Sequence, residues 1–225
     1  GSNVLIGQRL GQIIDKKNNL LDVGCGMGGL SKMLYDKGIK VHSLTPDDNQ
    51  KNHIKIKYPE LTVHHTKFED FNANEKYGTI INSESLQYID LNSAFNCVSK
   101  ILSKNGRWII TDYFRINNDG INKSGHLHNE FIKSIDKNGW KITYQKDITL
   151  NSLPTLKYAI TFINRFIKPL AFFSNEKLKH KQGWLYYLTG DFKDNISKKF
   201  QREFAAMDPD KFIKYIQLRI NPTII

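Results

Sequence analysis

The chain has 225 residues, with 33 Lys and Arg against 22 Asp and Glu, a formal charge of +11. Apolar residues make up 40% and charged residues 24%, which excludes a disordered chain, and the length suits one generous domain rather than two. No apolar run nears the roughly 20 residues that span a bilayer, and two cysteines, Cys25 and Cys97, cannot frame a disulfide scaffold, so a reducing, cytoplasmic setting is expected.

Asn19-Leu20-Leu21-Asp22-Val23 reads as a buried strand, and Leu30, Met33 and Leu34 then fall at helix spacing before Gly38 supplies a stop. Residues 40–44 form a second strand, followed by a polar helix from about Asp47. Residues 61–65 and 77–82 are a third and a fourth. Asp90 is placed to cap a helix carrying Leu91, Phe95, Val98 and Leu102 on one face and closed by Asn105-Gly106. Residues 107–112 make a fifth strand, Leu127, Phe131 and Ile135 a helix ended by Gly139, and residues 140–145 a sixth strand. This alternation predicts an α/β fold with a doubly wound, mostly parallel, Rossmann-like sheet, and ligands at the C-terminal strand ends.

The pattern changes after Asp147. Tyr158, Phe162 and Phe166 recur at four-residue spacing, as do Phe192, Ile196, Phe200 and Phe204, with no convincing strand between. Residues 214–220 read as a seventh strand rejoining the sheet. The expected organisation is a core over 3–150, an inserted α-helical lid over 151–206, and a final segment over 207–225. Phe162, Phe166, Phe200 and Phe204, at helical spacing, are expected to be core, whereas Trp184-Leu185-Tyr186-Tyr187 is aromatic on both sides and suited to facing an apolar substrate.

A pI near 9.5 invites a nucleic-acid partner, yet the basic residues form no single block. The densest patches, around Lys177–Lys181 and Lys198-Lys199, suit an acidic substrate or an anionic membrane surface. No nucleic-acid partner and no metal are expected.

The informative turn is Leu20-Leu21-Asp22-Val23-Gly24-Cys25-Gly26-Met27-Gly28-Gly29, which leaves a strand and enters a helix. Gly24 can take a left-handed conformation, and Gly26 removes a Cβ where a ligand must come close. Gly24, Gly26 and Gly29 also satisfy the dinucleotide pattern G-x-G-x-x-G. That reading wants an acid at the tip of the second strand, and Ser43-Leu44-Thr45 has none.

Asp22-Val23-Gly24-Cys25-Gly26-Met27-Gly28 resembles the first motif of class I S-adenosylmethionine (SAM)-dependent methyltransferases, and further motifs follow in order to about residue 147. Thr45-Pro46-Asp47-Asp48-Asn49-Gln50 is similar to the segment of the cyclopropane-synthase and mycolic-acid methyltransferase group in which a Thr and a Gln replace the acidic ribose ligand. Lys67-Phe68-Glu69-Asp70-Phe71 resembles the adenine segment, with Phe68 on the base and Glu69 near its amino group. Residues 82–89 resemble the segment lining the methyl group and substrate, and residues 106–112 the fifth-strand motif. The resemblance implies a seven-stranded sheet with an antiparallel last strand. It implies SAM as cofactor, leaving as S-adenosylhomocysteine (SAH). The implied cofactor contacts are Asp22, Gly24, Cys25, Gly26, Gly29, Leu44, Thr45, Gln50, Lys67, Phe68, Glu69, Asn82, Ser83 and Glu84.

The chain also departs from that pattern. Gln87 and Asp112 stand where cyclopropane synthases hold a bicarbonate with Glu and His, so cyclopropanation is not expected. Tyr88 stands where many small-molecule methyltransferases carry His, and Gly78 where an Asp usually opens strand four. Only 18 residues precede the first strand, little for the gating helix such enzymes often place there.

Methyl transfer is an in-line displacement, and a general base is needed only when the acceptor arrives protonated. Glu84, Tyr88, His126 and His128 are the catalytic candidates, with Asp112 and Tyr113 near the same strand ends. Asp22 is expected to orient the glycine turn and Cys25 to be an unreactive packing residue. The expected activity is methylation, on O, N or C, of a small apolar or aromatic molecule of the natural-product kind. Rivals are a lipid acceptor, suggested by the basic patches beside Phe172-Phe173, a nicotinamide-dependent oxidoreductase, and a non-catalytic SAM binder.

Overall fold

The computed structural model describes residues 19–118, 125–149, 161, 165 and 166, and the backbone of 215–222. Among the described residues there are seven strands: β1 (Leu20–Val23), β2 (Val41–Thr45), β3 (Thr62–His65), β4 (Tyr77–Ser83), β5 (Leu102–Tyr113), β6 (Trp140–Asp147) and β7 (Tyr215–Pro222). Between them run α1 (Gly29–Tyr35), α2 (Asp48–Lys57), α3 (Leu91–Ile101) and α4 (His128–Lys137), with a 3-10 turn at Leu86–Tyr88. The sheet order is β3-β2-β1-β4-β5-β7-β6. β1 to β5 are mutually parallel, and β7 lies antiparallel between β5 and β6. The order reverses between β1 and β4, which opens a crevice at their carboxyl ends.

Strands covered on both faces should be apolar throughout, and β1, β2 and most of β4 are buried along their length. Successive side chains point to opposite faces, so Leu20 and Leu21 feed different cores. Leu20 joins Leu30, Leu34, Ile39, Val41, Ile81 and Ile109 under α1. Leu21 joins the larger core with Phe95, Trp108, Phe131 and Trp140. There Phe95 meets the rings of Trp108 and Trp140 edge-on, at centroid separations of 5.1 and 5.8 Å. Asp90 caps α3, its Oδ1 accepting from the Ser93 amide at 2.9 Å.

α3 stops earlier than its apolar period suggests. Leu102, expected on the helix, already pairs with Tyr77 as the first residue of β5. Its side chain folds over Gly106, where a Cβ would lie 2.7 Å from Leu102 Cγ. The apolar spacing thus continued into the strand because Leu102 enters the core from an extended backbone. β6 and β7 extend to Asp147 and Pro222, each two residues beyond the expected end.

The chain divides into two compact units, Gly1–Asn117 with Ser124–Ile148 and Lys214–Ile225, and Asn118–Lys123 with Thr149–Ile213. Apart from residues 161, 165 and 166, the expected helical lid, with Trp184, Tyr186 and Tyr187, lies outside the described residues. Phe166 is described and is 58% exposed, not the core residue its spacing suggested. Periodicity defines a helix face but not what covers it. Among the described residues no helix is long and apolar enough to cross a membrane.

Candidate functional site

The turn after β1 is built by its glycines, each for a different reason. Gly24 has φ 68° and its amide, with that of Cys25, donates to Leu44 O at 2.9 and 3.2 Å. A Cβ on Gly24 would lie 2.5 Å from Ser85 Cβ, so this glycine makes room for the segment after β4. Gly28, at φ 80°, lets α1 pack on Ile54 of α2, whose Cγ1 would be 2.9 Å from an added Cβ. Gly26 differs. Its φ is 55°, yet no atom of the described residues lies within 4 Å of where a Cβ would be. Among those residues it faces open space, as a backbone that must admit a ligand should.

Asp22 is fully buried beneath this turn. Its Oδ2 accepts from Ser31 Oγ at 2.6 Å, and Ser31 Oγ accepts from Ser43 Oγ at 2.8 Å, tying β1, α1 and β2 together. Burial pushes its carboxyl up to about 6, with the Ser31 bond acting the other way. The Cys25 thiol is pushed up to about 12 by burial and by Asp22 beside it, which leaves it unreactive.

At the end of β2, Thr45 Oγ1 donates to Gln50 Oε1 at 2.6 Å, so the two residues expected at the ribose are bonded to each other. Thr45 Oγ1 also accepts from the Asp47 amide at 3.2 Å. Asp47 caps α2, its Oδ1 accepting from the Gln50 amide at 2.9 Å.

At the end of β4, Asn82 is buried between Trp108, whose Nε1 donates to Asn82 Oδ1 at 2.8 Å, and Ser85, whose Oγ accepts from Asn82 Nδ2 at 2.9 Å. Ser85 Oγ donates in turn to Val23 O at 2.7 Å. Glu84 has φ 58°, alone among described non-glycine residues, and its amide donates to Thr111 O at 2.8 Å. The 3-10 turn that follows leaves Tyr88 76% exposed.

These three strand ends enclose a cleft of about 750 Å³, within the roughly 300–1,000 Å³ of small-molecule sites. It gathers Asp22, Gly24, Cys25, Gly26 and Gly29 from the first turn, Thr45 and Gln50 from the second, and Ser83, Glu84 and Tyr88 from the third. The sequence reading missed Asp47, which lines the cleft two residues past the strand tip, and apolar Met27, Leu30 and Met33. The signal for Asp47 was its capping position ahead of α2.

Other expected residues stand elsewhere. Leu44 is buried and contributes its carbonyl to the glycine turn. Asn82 is buried behind the cleft and holds Ser85. Lys67 and Glu69 are exposed, and neither lines the cleft. Phe68 is 2% exposed, packed in the larger core, with its carbonyl accepting from Cys97 Sγ at 3.1 Å. Its ring belongs to the core and not to the cleft wall. His126 Nε2 donates to Leu86 O at 2.9 Å, and His128 meets the Phe114 ring edge-on at 5.9 Å. Neither histidine lines the cleft.

The described lining carries Asp22, Asp47 and Glu84 and no Lys, Arg or His, in a chain of net charge +11. Carboxylates around an open glycine turn, with a hydroxyl and an amide beside it, fit a cationic ligand that also carries hydroxyls. Among the described residues no group of three His, Cys, Asp or Glu is disposed to hold a metal ion.

Residues 5–153 match the methyltransferase-domain family. An uncharacterized methyltransferase of Alkaliphilus oremlandii is 26% identical over 104 residues, 44% of this chain and 48% of that protein. The matched stretch thus spans about half the length of that curated relative. Among solved structures, a geranyl diphosphate methyltransferase in complex with SAM aligns at TM-score 0.67 with 18% identity, covering 99% of this chain and 84% of the other. The geranyl diphosphate C-methyltransferase of Streptomyces coelicolor aligns at 0.62 with 17% identity, covering 92% and 74%. The O-methyltransferase of a trans-AT PKS multienzyme of Brevibacillus brevis, in complex with SAH, aligns at 0.58 with 17% identity, covering 91% and 66%. The likeness to these structures is one of fold.

Proposed function

We propose, from the premise that the chain belongs to the methyltransferase-domain family and so to the SAM-dependent class I enzymes, that it methylates a small acceptor bound beside the cleft. Family membership sets aside the nicotinamide-dependent alternative. The observation carrying the reading is the open Gly26 turn facing the bonded Thr45–Gln50 pair across one cleft.

When bound, SAM supplies an electrophilic methyl carbon. The residues do the positioning. Asp22, through Ser31 and Ser43, fixes the glycine turn. Thr45, Gln50 and the Asp47 carboxylate offer polar partners to a ribose diol, and Cys25, Met27 and Leu30 give the walls. The Glu84 carboxylate and Tyr88 phenol stand where an acceptor would enter, Glu84 able to take a proton and Tyr88 to orient an apolar or aromatic body. The exposed rim at Tyr88 and Met27 supports an acceptor with apolar surface. An anionic acceptor would find no counter-charge in the described lining.

The test is methyl-labelled SAM with a panel of phenols, amines and isoprenoids, and with lipid vesicles. The reading expects label in a small acceptor, abolished by Gly26→Leu. Label in the lipid alone would move the substrate to a membrane surface, and cofactor binding without transfer to any acceptor would favour a non-catalytic binder.

A further inference from the structure

The Glu84–Tyr88 segment is the most constrained piece of the cleft, and the group that constrains it lies outside the cleft. Asp112, at the end of β5, is 1% exposed. Its Oδ2 accepts from the Gln87 amide at 3.1 Å and its Oδ1 from the Tyr113 amide at 2.9 Å. Gln87 then reaches back, its Nε2 donating to Glu84 O at 3.2 Å. Holding Glu84 in a left-handed conformation opposes its intrinsic preference, so something must over-determine it. The restraints are the Glu84 amide on Thr111 O, the Gln87 side chain on Glu84 O, and the Asp112 carboxylate on the Gln87 amide.

Two N–H donors converging on separate oxygens require an acceptor-only group. A carboxylate is the side chain of this length that meets both, because an asparagine would turn an NH2 donor toward one of them. Burying that charge is costly, and burial pushes the Asp112 carboxyl up to about 7, with nearby Glu84 adding to the rise and the amides of Gln87, Tyr113 and Leu86 opposing it. A buried charge held by backbone amides at the rim of a binding cleft is poorly accounted for by stability alone.

We propose that Asp112 is a positioning residue: through Gln87 it holds the turn that presents Glu84 and Tyr88 to the cleft, without itself meeting the ligand. The proposal rests on the cleft being the cofactor site. Protonation of Asp112 turns one acceptor oxygen into a donor and releases one amide, so the turn loosens on the acid side. The titratable neighbours on the packed elements are Glu84 and Tyr88 on the turn, Tyr113 on β5, and His126 and His128 at the start of α4. Of these, His126 also touches the turn, at Leu86 O.

SAH affinity is measured by calorimetry from pH 5.5 to 8.5 for the wild type, Asp112→Asn and His126→Gln, with urea unfolding run alongside. The proposal expects wild-type affinity to fall as pH drops through about 7, and His126→Gln to keep that limb. Asp112→Asn is expected to bind about tenfold more weakly at pH 8, to lose the limb near 7 and keep at most the limb near 6 that belongs to Asp22 under the glycine turn, with an unfolding midpoint no lower than wild type. Wild-type-like affinity in Asp112→Asn, or a wild-type profile that is flat or loses its limb in His126→Gln, overturns it. If Asp112→Asn does not fold, the wild-type and His126→Gln profiles decide. Absence of SAH binding by folded wild type at every pH refutes the cofactor reading itself, a different failure.

Discussion

Replacing Gly24 by alanine is the sharpest test of how the cleft is assembled. At φ 68° an L-residue is disfavoured by roughly 1–2 kcal/mol. The new Cβ would sit 2.5 Å from Ser85 Cβ, well inside contact distance, and forcing such an overlap typically costs about 1–3 kcal/mol. Ser85 cannot retreat freely, because its Oγ bonds Val23 O and accepts from Asn82 Nδ2, and losing one such bond costs about 1 kcal/mol. Together these predict a loss of roughly 3–6 kcal/mol, a large part of the roughly 5–15 kcal/mol that holds a typical domain. Urea unfolding followed by tryptophan fluorescence would read it, since Trp108 and Trp140 are buried in the core. Ser85→Gly by itself costs the two bonds of the hydroxyl, but in that background Gly24→Ala should cost only the backbone strain of roughly 1–2 kcal/mol. A loss below about 1 kcal/mol in the single Gly24→Ala variant, or the same cost for Gly24→Ala with Ser85 present and in the Ser85→Gly background, would refute the reasoning.

Other expectations follow from the same contacts. Thr45→Val keeps the shape of β2 but deletes the hydroxyl that bonds Gln50, so SAH affinity should drop about tenfold by calorimetry with little change in unfolding midpoint. Phe95→Ala, which empties the space between Trp108 and Trp140, should destabilise by about 3–5 kcal/mol in urea. His42 and His64 face each other at 3.2 Å, and burial lowers both below the ordinary 6.5. The fold favours their neutral forms, so their contribution is full above about 6.5 and is lost as pH falls below it. The share of stability contributed by this pair should therefore decline between pH 7 and 5, read as the difference between wild type and His64→Gln across that range. Asp22 and Asp112 carry the opposite sign: raised to about 6 and about 7, they favour folding at low pH and lose that contribution as pH rises through those values.

Most of the strand sequence could be read from the chain because parallel strands buried on both faces leave short apolar runs, as in Leu20–Val23 and Tyr77–Ser83. The cap at Asp90 was equally legible, since it needs only its own side chain and an amide three residues on. What failed was what depends on distant partners. Leu102 looked helical because its spacing continued that of α3, yet its pairing with Tyr77 draws it into β5. Phe68, expected on the adenine base, packs in the larger core beside Cys97, a placement fixed by residues distant in sequence. The role of Gly24 was visible as a turn but not as clearance for Ser85, which is 61 residues away in sequence. The Asp112–Gln87–Glu84 chain was invisible for the same reason, as it joins the ends of β4 and β5 through backbone amides that carry no sequence signature.

The account stands on one cleft at the ends of β1, β2 and β4 taking up an adenosyl amino acid. Calorimetric titration of SAH into the folded chain, beside Gly26→Leu whose side chain would project into the open space at that glycine, tests this most directly. Saturable one-to-one binding by the wild type, abolished in a variant that still folds, is the predicted result. No heat of binding from folded wild type, or equal binding by both proteins, would contradict it.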